Sequence, residues 1–314
     1  MTDVMSRVDA PAELRMVPYT FLRMFGSQPD VVASTRGGLG LLANRGAALA
    51  VTVPWGAIVA GSARDDGVLE LRSRNRPTEG VTLQPDEWSA AAPAWAWPTI
   101  RAASRLRAAG FAITGATLVV HTGLPGALSI PTAAAATAAT TRAFIDLYAL
   151  PADAATSAVG SPVVLPDRAA DLAALADGGA VLARSDTTVD RLPWNPAAAG
   201  LRLLVVESGN PELVGNQSRD GDVQQAAQAL RRGDLFRFGR LLPAPEPDTG
   251  PAAAAAAAND AGALGATLVG DPARPALGVL LHAADLPRIR AAIRAALPPG
   301  DYRPRFLTAG SRAG

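Results

Sequence analysis

The chain has 314 residues, 29 basic and 28 acidic side chains, two histidines and no cysteine, and every basic residue is an arginine. Without lysine there is no Schiff base, pyridoxal-phosphate anchor or phosphate-loop lysine. Without cysteine there is no disulfide, thiolate nucleophile or iron–sulfur cluster, and two histidines cannot build a multi-histidine metal site. A net charge of +1 with no basic run argues against a nucleic-acid or membrane-surface partner. Residues 1–16 lack an apolar signal core. The longest apolar stretch, 47–60, is broken by Pro54 and shorter than the roughly 20 residues of a membrane span. A soluble cytoplasmic protein is expected.

In chain order, 47–59 and 68–73 are β-rich and joined through Arg64-Asp65-Asp66-Gly67, an Asp-Gly turn that predicts a hairpin. Residues 98–109 carry Ile100, Ala103 and Leu106 at helical spacing and stop at Gly110. A short strand at 118–121 precedes a long alanine-rich helix over 132–147, with Pro131 at its start. A helix over 169–175, strands at 180–183 and 201–207, and one or two helices over 222–242 follow. Residues 243–251 hold four prolines counting Pro251, a stiff connector. Beyond it come a helix from 252 towards Gly262, a strand at 276–283, a helix over 285–297 begun by an Asp285 cap, and a strand at 305–308. The mixture predicts an α+β or α/β fold in two domains.

Three stretches carry a resemblance. They are Phe21-Leu-Arg-Met-Phe25-Gly26-Ser-Gln-Pro29, then 119–151 ending in Leu147-Tyr148-Ala-Leu150-Pro151, then Leu203-Leu-Val-Val-Glu-Ser208-Gly209 with Ala229-Leu-Arg-Arg-Gly233-Asp234-Leu-Phe-Arg-Phe-Gly239. In this order, and across nearly the whole chain, they resemble the galactokinases of the GHMP small-molecule kinases. The resemblance implies an α+β, two-lobed molecule: an N-terminal lobe over 1–192, a ferredoxin-like C-terminal lobe over 193–314, and a ligand cleft between them.

The resemblance rests on framework residues and fails at those that do chemistry. The family's first signature, A-P-G-R-V-N-L-I-G-E-H-T-D-Y, falls on Thr35 to Ala48. Its transition-state arginine lands on Gly38, and its sugar-binding Glu, His and Asp land on Asn44, Arg45 and Ala47. An arginine in that role stabilises charge on the transferred phosphoryl group, which glycine cannot do. The second signature, P-x-G-A-G-L-S-S-S-A, falls on Pro125 to Ala134. Phosphate loops need glycines that let backbone N–H groups close round phosphate, and a hydroxyl for Mg²⁺. Here Ala127 and Ser129 replace glycines, and Pro131, Thr132 and Ala133 replace serines. The third, T-G-G-G-F-G-G, falls on Val269 to Pro275 and keeps only Gly270, with Asp271, Pro272 and Arg274 in the loop.

By the same resemblance, the family's catalytic aspartate falls at Pro166-Asp167-Arg168, and its sugar-contacting tyrosine on Asn216. Asp167 is therefore a candidate general base, with the alternative that it N-caps the helix from Ala169. His121, at a strand end beside the former phosphate loop, is a second catalytic candidate. His282 lies in an apolar run and reads as structural. Candidate substrate contacts are Asn44, Arg45, Arg168 and Asn216; candidate contacts to a nucleotide, were one bound, are Ser129, Thr132, Gly270 and Arg274. With Arg36, these arginines would favour a carboxylate or phosphate ligand. Gly38-Leu-Gly-Leu-Leu-Ala43 matches a dinucleotide G-x-G-x-x-A pattern literally, without the strand before it or the acidic residue after it that the motif requires. The expectation is a degenerate galactokinase homologue that has lost sugar phosphorylation, needs no cofactor and keeps a cleft for a small ligand. Two alternatives stand beside it: a repurposed ATP-independent enzyme using Asp167, His121 and arginines, and a divergent active kinase using ATP and Mg²⁺.

Overall fold

A computed structural model describes residues 12–88, 92–123, 132–159, 165–176, 178–207, 220–247, 250–270, 276–297 and 304–309. These form an α+β fold in two compact units. One holds the described residues within 1–37, 55–126 and 132–163, the other those within 38–54 and 164–314.

The first unit contains α1 (Ala12–Phe25), parts of β1 (Val31–Ala43) and β2 (Ala47–Ala63), then β3 (Leu69–Ser73), β4 (Gly80–Leu83), α2 (Trp97–Ala108), β5 (Ala116–Thr122), α3 (Thr132–Leu147) and α4 (Ala154–Ala158). Its strands run in the order β4-β3-β5-β2. The expected hairpin between 47–59 and 68–73 is therefore replaced. β5 enters between the two strands, antiparallel to β2 (Ile58 opposite His121) and parallel to β3. The Asp-Gly turn is present, but its backbone faces the start of β5: Gly67 N donates to Thr114 O at 2.7 Å and Arg64 N to Gly115 O at 3.1 Å. Asp66 closes the turn by accepting from Val68 N and from the Arg64 guanidinium, which holds its carboxyl down at about 2.

Alternation along β5 divides its side chains between two layers. Leu118 and Val120 join Leu69, Leu71, Ile100, Leu106 and Phe144 in a core beneath α2 and α3. Val119 packs on the opposite side with Val17 and Phe21 of α1 and Ala60 of β2. Burying each large side chain of such a core stabilises by about 1.5–3 kcal/mol. α2 ends as expected near Gly110, whose φ of 91° is the left-handed conformation that glycine adopts cheaply.

The second unit adds α5 (Leu165–Ala176), β6 (Ala180–Arg184), β7 (Val189–Leu192), β8 (Leu201–Glu207), α6 (Asp220–Arg231), α7 (Leu235–Arg240), α8 (Gly250–Asp260), β9 (Gly265–Val269), β10 (Ala276–His282), α9 (Leu286–Ala296) and β11 (Arg305–Ala309). The first half of β2 pairs antiparallel with β6, and β6 with β7. A separate antiparallel sheet runs β11-β8-β10-β9, with Leu204, Val206, Leu277, Val279 and Leu281 packed on Ala254, Ala258, Ile289 and Ile293 of α8 and α9. Asp285 precedes α9 as expected, but its side chain makes no cap; it pairs with Arg288 at 2.9 Å. Among the described residues no helix is long and apolar enough to cross a membrane.

Candidate functional site

The stretch 38–43 is the continuation of β1, so the glycine pattern there belongs to a strand and not to a strand-turn-helix nucleotide site. Its glycines serve close packing. A Cβ built on Gly38 would stand 1.8 Å from the carbonyl oxygen of Ala170 in α5, and one on Gly40 would stand 3.9 Å from that of Pro166. β1 and α5 thus meet backbone to backbone. The helix face that allows this is Ala169, Ala170, Ala173 and Ala174, all buried. Thr52 of β2 adds a hydrogen bond from its Oγ1 to Ala173 O at 3.2 Å. A side chain of any size at position 38 requires α5 to move.

This contact carries α5, and with it Asp167 and Arg168, to the strand bearing the first signature. α5 begins at Leu165, so Asp167 lies within its first turn rather than at the N-cap, and it is exposed. There its charge complements the helix dipole. Asp171, one helical turn on, is 2% exposed, and sequence reasoning passed over it. The spacing of four residues was the available signal, since it places two carboxylates on one side of a helix. The half-buried Arg168 guanidinium donates to Arg184 O at 3.2 Å and to Thr187 O at 3.1 Å, clasping the β6–β7 turn. Thr187 has φ 71°, a conformation that a β-branched residue rarely adopts. Asp186 supports the turn by accepting from Thr188 N and Oγ1, and the Thr188 hydroxyl and amide hold its carboxyl below the usual range.

Asn44 closes the β1–β2 turn. Its Oδ1 accepts from Gly46 N at 2.9 Å and Ala47 N at 2.8 Å, and its own N–H donates to Ala47 O. Arg45 is exposed at the tip, and Ala47 is buried in β2 opposite Arg184. Gly46 O accepts from Ser185 N at 3.0 Å. The Asn44 turn, the β6–β7 turn and the start of α5 therefore converge, bringing together Asn44, Arg45, Asp167 and Arg168. In this convergence Asn44 and Arg168 hold backbone groups of the turns, and Arg45 and Asp167 are exposed.

The remaining candidates lie elsewhere. His121 shares the α1-facing side of β5 with Val119, on the face away from α2 and α3. Its Nδ1 is buried with no hydrogen-bond partner. Burial, and secondarily the Arg74 charge, push its pKa below the ordinary histidine value against the opposing pull of Glu13. Thr132 is the first residue of α3 and is half-buried. Gly270 follows β9 with φ 89°. Ser129, Asn216 and Arg274 lie outside the described residues. Among the described residues, no three or more His, Asp or Glu side chains gather as a metal ion would need. Position 38 has no side chain and no space for one.

No family model matches the chain. It is 28% identical over 211 residues to a galactokinase of Streptomyces coelicolor, a match that covers 60% of this chain and about half, 53%, of that relative. Its fold matches the crystal structure of Lactococcus lactis galactokinase complexed with galactose (TM-score 0.74, 16% identity, 93% of this chain and 96% of that one). It also matches Methanococcus jannaschii mevalonate kinase (TM-score 0.60, 12% identity, 88% and 97%). A third match is homoserine kinase from Cytophaga hutchinsonii (TM-score 0.60, 17% identity, 89% and 94%).

Proposed function

We propose that this chain, a galactokinase homologue with the fold of the GHMP small-molecule kinases, has lost ATP-dependent sugar phosphorylation and acts as a small-molecule-binding protein. The observation that carries this reading is the closure of position 38. In the resemblance this position bears the arginine that stabilises the transferred phosphoryl group, a role worth about 10³–10⁵ in rate in phosphoryl transfer. Here it is a glycine whose Cβ position is 1.8 Å from a helix carbonyl, so one substitution cannot restore the arginine.

Two further observations support the reading. Asn44 and Ala47, aligned with sugar-binding acids, are a turn cap and a buried strand residue. Arg168, beside the aligned aspartate, is tied to two backbone carbonyls. Arg45 beside the turn is exposed, as is Arg36 on β1. Exposed guanidinium groups favour a carboxylate- or phosphate-bearing ligand. The test is calorimetric titration of the full chain with Mg·ATP, ADP, galactose and a panel of sugar phosphates and small carboxylic acids. The reading expects no heat from Mg·ATP and saturable binding of an anionic member of the panel. Micromolar binding of Mg·ATP that strengthens in the presence of a neutral sugar would overturn it.

A further inference from the structure

β5 presents one ionisable side chain to α1. His121 stands opposite Ile58 of β2, and Ile58 packs at the margin of the cluster in which Val17 and Phe21 of α1 cover Ala60 and Val119. The imidazole is half-buried, and its Nδ1 is enclosed without an acceptor or donor. The charged groups acting on it, among the described residues, come from two elements. Arg74, just after β3, disfavours its protonation, and its Nη2 donates to Met16 Sδ of α1 at 3.3 Å; Glu13 of α1 favours it. β2 contributes only the apolar Ile58 at this register.

Neutral imidazole is compatible with this setting, because one ring nitrogen can remain unprotonated against apolar neighbours. Imidazolium is not, because both ring nitrogens become donors. A buried N–H would then lack an acceptor, and a second cation would face Arg74. Lifting α1 exposes the ring to water, which removes the first penalty and screens the second. We propose that His121 makes the seating of α1 on β5 acid-labile, so that protonation of the imidazole releases this helix from the sheet.

The sign follows from linkage. In the released state His121 titrates near 6.5, and in the seated state lower, so release gains as pH falls through 6.5 and levels off below the seated value. The gain is at most about tenfold per pH unit. This device is independent of any ligand or catalytic activity. The test is hydrogen exchange of the full chain, corrected for intrinsic rates, at pH 7.5, 6.5 and 5.5. Protection over 12–25 is expected to fall up to about tenfold between pH 6.5 and 5.5, while α3 keeps its protection and His121→Gln loses the pH dependence in α1. An unchanged slope in His121→Gln, or equal loss in α1 and α3, overturns the proposal. Should the variant fail to fold, the imidazole Cε1 proton of the wild-type chain decides, assigned through His282→Gln because there are only two histidines. A titration midpoint below 6.5 together with loss of protection over 12–25 in the wild-type chain upholds the proposal, and a midpoint at or above 6.5 or unchanged protection overturns it.

Discussion

Gly38→Ala is the smallest perturbation that probes the contact between β1 and α5. The added methyl carbon would stand 1.8 Å from Ala170 O, 2.7 Å from its carbonyl carbon and 3.1 Å from its Cα. Carbon–oxygen contacts below about 3 Å are strongly repulsive, so α5 must retreat by roughly 1.2–1.6 Å or β1 must bulge. No flexible side-chain end is available to give way, because every opposing atom is helix backbone. Retreat also strains the Thr52 Oγ1 bond to Ala173 O and opens space beside four buried alanines. Overpacking in a close-packed interior costs typically about 1–3 kcal/mol and more where backbone opposes it. The expected loss is about 3 kcal/mol, equivalent to a melting-temperature decrease of roughly 4–6 °C for a protein of this size. Gly40→Ala is the matched control: its Cβ would meet Pro166 O at 3.9 Å, ordinary contact, and an alanine replaces a glycine within a strand, so stability should be unchanged or slightly raised. Thermal and urea unfolding of the three proteins provide the comparison. Equal stability of Gly38→Ala and the parent would refute the account of why position 38 is glycine.

Other outcomes follow from the turns around α5. Arg168→Met keeps the aliphatic stem but removes the donors to Arg184 O and Thr187 O; a loss of about 1–2 kcal/mol is expected, with faster amide exchange confined to 184–188. Thr187→Asn replaces a β-branched residue at φ 71° by one that tolerates the left-handed region, and should stabilise by about 0.5–1 kcal/mol in urea unfolding. Asp66 titrates near 2, below its ordinary value near 3.9. Its contribution to stability is complete above about pH 4 and is lost as pH falls towards about 2, so Asp66→Asn should flatten the acid limb of stability against pH in that window.

Much of the fold was legible where side-chain periodicity decides structure. The helix over 132–147 and the strand over 201–207 have the bounds their patterns give, because alanine runs and unbroken aliphatic runs have few competing conformations. β1 was not legible. Gly37, Gly38 and Gly40 lower strand propensity, and the reason for Gly38 is the α5 backbone at Ala170, far away in sequence. The hairpin expected at Arg64–Gly67 illustrates another limit, since a turn signal is local but the partner of each strand is chosen by the whole sheet. At the candidate site, the loss of the arginine could be read from the chain. That Asn44 and Arg168 hold turns together could not, because those bonds join 44 to 46 and 47, and 168 to 184 and 187. The second of these requires the tertiary fold. His121 was legible as a strand-end residue, but only strand alternation within the folded sheet assigns it to the face beneath α1.

The most direct test of lost phosphoryl transfer is incubation of the full chain with Mg·ATP and galactose, followed by ³¹P NMR over hours at high protein concentration. With position 38 closed against Ala170, the account predicts only the resonances of ATP and its slow background hydrolysis, with no sugar phosphate formed. A growing sugar-phosphate resonance that requires the protein, and that tracks ADP release one for one, would contradict it.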